Sequence, residues 1–214
     1  LAGQTAVYGL SSIIGRILGY LLVPIYTRAL DPALYGRVID LYIYIAFFLV
    51  VLTYGMETTF FRFSSDKGKK AENVFSTAFL SILFSSLAFF LAVFFSRQSI
   101  ADLLHYSDFP EYISMLAFIL FFDSINTIPY ARLRIQNRAK KFVTVKLTGI
   151  FSNIGLNLFF VILVPLLHEH AGGILKEWIQ VIYTGEKIEL VRFVFISNMF
   201  SSVIQTVLFI PEWL

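Results

Sequence analysis

Apolar residues run through the chain in six stretches long enough to cross a bilayer, whose hydrocarbon core takes about 20 helical residues. They cover roughly residues 5–27, 38–61, 73–96, 112–131, 142–167 and 193–211. Residues 73–96, 147–167 and 193–211 hold no charged side chain at all. Between the stretches stand the breakers expected of loops: Asp31-Pro32, Asp66-Lys67-Gly68, Asp108-Phe109-Pro110 and Gly172-Gly173. The pattern predicts an all-α integral membrane protein with six transmembrane helices. The first stretch is too long and glycine-rich for a cleaved signal peptide and reads as a first span. Ile174, Leu175, Trp178, Ile179 and Ile182 recur at helical spacing between polar residues. That spacing predicts a short amphipathic helix lying on the membrane surface. No internal repeat of 20 to 50 residues is visible.

Composition removes whole classes of function. The chain is 57% hydrophobic and 14% charged, with a mean hydropathy of +0.76, against about 25% charged residues in soluble domains. A soluble enzyme is excluded. The net charge of +3 comes from clusters between apolar stretches and describes loops, so no nucleic-acid partner is expected. With no cysteine there is no disulfide, thiolate metal site or thiol nucleophile.

The charge clusters also predict orientation. Ten basic residues fall on one side: Arg62, Lys67, Lys69 and Lys70, then Arg132, Arg134, Arg138, Lys140, Lys141 and Lys146. The other side has six, Arg28, Arg37, Arg97, Lys176, Lys187 and Arg192, together with eight acids. The ten-residue side is expected to be cytoplasmic, with both termini on it. The basic run from Arg132 to Lys141 is a topology determinant that also attracts anionic lipid headgroups.

Ionisable residues inside a span are costly, about 2.5–3.5 kcal/mol at the helix centre, and usually face a partner or a watery cavity. Four occur: Arg16, Asp40, Glu57 and Asp123. At 1.5 Å per residue, Arg16 is about 16 Å from Thr5 and Asp123 about 12 Å from Ala131, comparable depths at which the two could pair. Polar and small residues form stripes around them. The first span aligns Thr5, Gly9, Ser12, Arg16, Gly19, Tyr20 and Thr27 on one face. Asp123, Asn126, Thr127 and Tyr130 do so in the fourth, Lys146, Gly149, Asn153 and Asn157 in the fifth, and Asn198, Ser201, Ser202 and Gln205 in the sixth. Such stripes serve either as glue between helices, as Gly15-x-x-x-Gly19 would, or as the lining of a cavity. A permanent cation at mid-bilayer favours the cavity for Arg16. Glu57 and Asp123 fit either role, and Asp40 reads as an interfacial acid.

Signatures of zinc hydrolysis, acyl transfer and nucleotide binding are missing, so no catalytic residue is assigned. His168-Glu169-His170 stands in a loop without a further ligand cluster and is not read as a metal site.

Three segments carry a family resemblance. Pro24-Ile25-Tyr26-Thr27-Arg28-Ala29-Leu30-Asp31-Pro32 with Tyr35-Gly36, Tyr54-Gly55-Met56-Glu57 with Phe61-Arg62-Phe63, and Pro129-Tyr130-Ala131-Arg132-Leu133-Arg134 resemble bacterial polysaccharide-biosynthesis, Wzx-like O-antigen flippases. These belong to the multidrug/oligosaccharidyl-lipid/polysaccharide exporter superfamily. The resemblance implies two lobes of six helices within 12 to 14 in all, alternating access, and an undecaprenyl-diphosphate-linked oligosaccharide as substrate in the bacterial cytoplasmic membrane. It identifies residues 1–214 with the N-terminal lobe, whose partners would be that lipid, the surrounding membrane lipids and a C-terminal lobe. Substrate contacts are then expected at Arg16, with Glu57, Asp123, Asn126, Asn153 and Asn157 beside it. No cofactor is implied beyond coupling to H+ or Na+ through Glu57 or Asp123. The alternatives are a lipid II or multidrug exporter of the same superfamily, a membrane-embedded glycan polymerase or ligase, and an accessory protein without transport.

Overall fold

The computed structural model describes residues 2–65, 71–170 and 172–213, with the side chains of 2–7, 12, 174 and 175 excepted. Lys67, Lys69 and Lys70 of the basic side, and the Thr5 and Ser12 side chains of the first stripe, lie outside the described residues. Every regular element among the described residues is helical, and six helical stretches are long and apolar enough to cross a membrane. They are Tyr8–Ala29, Pro32–Ser64, Ala71–Phe95, Pro110–Ile135, Ala139–His170 and Ile188–Trp213.

Three spans are segmented. The first consists of α1 (Ala2–Tyr20) and α2 (Leu22–Ala29). In the second, α3 (Pro32–Thr53) and α4 (Met56–Ser64) are separated by two left-handed residues, Tyr54 at φ 32° and Gly55 at φ 70°. Glycine takes that conformation freely, whereas tyrosine adopts it at a cost of about 1–2 kcal/mol. The Tyr54 hydroxyl meets Ser81 Oγ at 2.7 Å on the next span. Helix α5 (Ala71–Phe95) is continuous and is followed by the short α6 (Arg97–Leu103). The fourth span, α7 (Pro110–Ile135), opens on Pro110, where a missing N–H costs nothing, and carries Pro129 in its interior. The fifth passes from α8 (Ala139–Asn157) through a π turn at Leu158–Leu163 into α9 (Val164–His170). There Val164 N–H reaches Phe159 O, an i to i−5 bond just ahead of Pro165. Helix α10 (Ile174–Ile182) forms where the helical spacing predicts one; it buries Ile179 and exposes Trp178, Val181 and Ile182. The sixth span is α11 (Ile188–Trp213).

The fourth and sixth spans form the centre. Of their most apolar stretches 61% and 44% is buried in protein, against 12–22% for the other four, which are left to face lipid. Helix α7 packs against α5, α11 and α3; α11 packs in turn on α8, and α8 on α1, which forms the edge of the bundle. Small polar side chains at the centre, Ser124, Ser197, Ser201 and Ser202, let these helices approach closely.

The two ends differ in charge. One gathers Glu57, Arg134, Arg138, Lys141 and Glu212 into ion pairs. The other joins Lys187 to Asp31 at 3.0 Å and Tyr106 to Asp40 at 2.8 Å. Burial first, and the neighbouring Asp40 carboxylate second, push the Tyr106 hydroxyl above its ordinary pKa, so it stays a donor. Asp40 is thus tied to the loop beyond α6, the interfacial place its sequence position suggests.

Candidate functional site

The site is a groove beside the first span, and its shape follows from how that span leans on the fifth. Gly15 is the close approach: a methyl built there would stand 2.9 Å from Ile150 Cδ1 and 3.8 Å from Lys146 Cε. A methyl at Gly19 would meet nothing within 4 Å. Only the first glycine of the Gly15-x-x-x-Gly19 pair therefore serves packing. Toward the acidic end the span is pinned again, where the Tyr26 hydroxyl donates to Asn157 Oδ1 at 2.8 Å. Arg16, one residue past the Gly15 contact, is exposed and has no ion-pair partner among the described residues.

Asp123 does not pair with Arg16. Its Oδ1 accepts from Ser202 Oγ at 2.6 Å, across the seam between α7 and α11. The same seam takes Asn126, whose Oδ1 accepts from Thr206 at 3.1 Å. Asn126 is 3% exposed. Asn157, fully buried, donates its amide to Asn153 O and Oδ1, both at 2.8 Å. Asn126 and Asn157 thus bond protein groups and hold the groove's walls together, while Asn153 is half-exposed and borders open space. Much of the polar striping behaves as glue: Ser201 donates to Gly149 O at 2.7 Å, and Tyr130 to Gln205 Oε1 at 2.6 Å. Glu57, the other acid that fitted two roles, neutralises an arginine, with Arg134 Nη1 at 2.5 Å from its Oε1.

Sequence reasoning left Arg134 among the topology determinants and Lys146 among the stripe residues. Both line a pocket of about 210 Å³ with Tyr130, Phe142 and Gln205 at the basic end of the groove. Their cationic groups sit over the same ring, that of Phe142, at 5.4 and 5.5 Å from its centroid. The signal was present as spacing: Tyr130 and Arg134, and Phe142 and Lys146, are each four residues apart, so each pair shares a helix face. Arg134 and Arg16 both lie within electrostatic range of Lys146. Arg134 already has Glu57 as its counter-charge, so it is the exposed Arg16 that would gain most from an anionic group in low dielectric. A larger pocket of about 520 Å³ lies beside Gly19 and has its own lining residues. Among the described residues no group of three His, Asp or Glu side chains stands ready for a metal.

A six-span bundle with a cation-bordered groove is the class of protein this fold and site define, a multi-pass membrane protein. Residues 25–166 match the family model described as polysaccharide biosynthesis protein. That match covers more than half of the chain, and the chain belongs to this family. No curated protein and no solved structure matches it. Its role accordingly lies in polysaccharide biosynthesis at a membrane. Glu57, Asp123, Arg134 and Lys146 fall within the matched residues, whereas Arg16 precedes them.

Proposed function

We propose that this chain is one six-helix lobe of a transporter that moves an undecaprenyl-diphosphate-linked oligosaccharide across the bacterial cytoplasmic membrane by alternating access. The observation that carries the reading is the exposed Arg16, which has no ion-pair partner among the described residues and stands within electrostatic range of Lys146, a residue that lines the smaller pocket. A diphosphate cannot cross hydrocarbon unsolvated, because burying an unpaired charge costs far more than any transport step supplies. A protein that carries one must offer a hydrated cationic path while the polyprenyl tail stays in lipid. A groove of this charge also suits an anionic lipid better than a cationic drug, which favours the glycolipid over a multidrug substrate. The basic end is cytoplasmic in this reading, the N-terminus with it, and a second lobe closes the groove. Asp123 and Glu57 are the acids through which H+ or Na+ coupling would act.

The test is complementation of a flippase-deficient strain by the intact protein, with its membrane level measured alongside. Arg16→Ala abolishes complementation at normal protein level, and Arg16→Lys keeps part of it, since charge survives but the two-pronged guanidinium geometry does not. Full activity of Arg16→Ala overturns the role.

A further inference from the structure

Beside Gly19, three residues beyond Arg16, lies the pocket of about 520 Å³, a size typical of small-molecule sites. Gly19 and Tyr26 of the first span border it, with Tyr35 and Tyr42 from α3, Asn153 from α8 and Asn198 from α11. The rest of its wall is aliphatic, and no Asp, Glu, Lys or Arg lines it.

Its polar groups are held in place. The Tyr26 hydroxyl is fixed on Asn157, and Asn157 in turn donates to Asn153 Oδ1. That chain spends the Asn153 carbonyl and leaves its NH2 group as the remaining donor. The Tyr26 and Tyr35 rings stand 6.4 Å apart, tilted by 44°, and the Tyr42 ring rests 5.3 Å from that of Phe195. Three ordered aromatic rings and two amides thus surround an uncharged space.

Each ligand class meets this wall differently. A hydrocarbon chain would set the Asn153 NH2 group against apolar surface, since its Oδ1 is taken by Asn157, while Asn198 keeps its bond to Tyr42. No charged side chain lines the wall to coordinate an ion directly. A neutral pyranose satisfies both parts, its C–H faces against the tyrosine rings and its hydroxyls on the amides. Position adds a second constraint. Gly19 is three residues from Arg16, a rise of about 4.5 Å along the helix. A phosphate held at Arg16 would therefore stand within about one sugar's length of the pocket's Gly19 edge along the helix axis.

We infer that this pocket is a sugar subsite, taking a neutral pyranose joined to the anionic group at Arg16. The inference rests on the proposed function above and adds the residues that read the glycan: Tyr35, Tyr42, Asn153 and Asn198.

Two lipids test it, undecaprenyl diphosphate and undecaprenyl-diphosphate-linked N-acetylglucosamine, with binding to the intact protein in nanodiscs measured by native mass spectrometry. The glycosylated lipid is expected to bind roughly tenfold tighter, the equivalent of one or two net hydrogen bonds. Gly19→Leu fills the pocket from a position whose added side chain meets open space, and Asn198→Ala removes an amide. Each brings the ratio of the two affinities down to about one, whereas Arg16→Ala weakens both lipids and keeps the ratio. Equal binding of the two lipids by the unaltered chain, or a ratio that survives both pocket variants, overturns the subsite and leaves the transport reading standing. Failure of both lipids to bind overturns the two together.

Discussion

Arg134 Nη1 lies 2.5 Å from Glu57 Oε1, so a cation near the end of α7 holds the helix that begins just after the backbone break at Tyr54 and Gly55. Helix α4 has one other anchor of note, Phe60, which is 3% exposed and stands edge-on to Phe75 at 6.1 Å. Glu57→Gln is expected to increase hydrogen exchange across residues 56–64. Both partners are about one-third exposed, so the stability loss stays below about 1 kcal/mol. Unchanged exchange would assign the hold on α4 to Phe60 alone.

Glu212 is the better-buried acid of the basic end, 5% exposed, and it takes both Arg138, at 2.7 Å, and Lys141. Arg132 Nη1 also donates to its carbonyl oxygen. The last turn of α11 is thereby tied to the start of α8. Removing the charge leaves two cations facing each other, and since those cations are partly exposed the cost falls under the 3–5 kcal/mol of a fully buried pair. Glu212→Gln is expected to lower stability by about 1–3 kcal/mol, read as a fall in melting temperature in detergent. A melting temperature equal to that of the unaltered protein would show the cluster to be solvated.

Gly149 is where α8 and α11 meet most closely, and a methyl built there overlaps the Gln205 side chain. Gln205 cannot simply swing away, because its Oε1 holds the Tyr130 hydroxyl. Gly149→Ala is therefore expected to cost about 1–3 kcal/mol through overpacking. Gly15→Ala costs less, because the atom it meets is the terminal methyl of Ile150. Equal thermal stability of the two variants would contradict this difference.

The existence and number of the spans were legible because length and hydropathy alone decide them. Their ends were not. The second span runs over Pro32–Ser64 and not 38–61, since Pro32 starts a helix well and Arg37 and Glu57 are accommodated near its termini. The break inside it was hidden because Tyr54-Gly55 sits in an apolar run, where a left-handed pair leaves no compositional trace. Polar stripes showed which face of each helix mattered but not which helix it faced. Asp123 looked able to reach Arg16 by depth, yet depth ignores azimuth, and its neighbour is Ser202. Arg134 and Lys146 joined the groove only once α7 and α8 were laid side by side.

Orientation can be tested directly, because the structure sorts the charged loops onto two ends. Arg134, Arg138 and Lys141 share one end with Glu57 and Glu212, through ion pairs that link the second, fourth, fifth and sixth spans. Asp31 and Lys187 share the other, 156 residues apart in sequence and joined at 3.0 Å. With ten basic residues assigned to the first end and six to the second, the bias favours a cytoplasmic first end. Reporter fusions at Gly68 and Gln136 should then read cytoplasmic, and a fusion at Gly172 should read outside. Because the ion pairs fix which loops lie together, the fusions at Gln136 and Gly172 must report opposite sides whatever the orientation. The reverse assignment would overturn the leaflet from which the lipid is taken, while the same side for both would contradict the bundle itself.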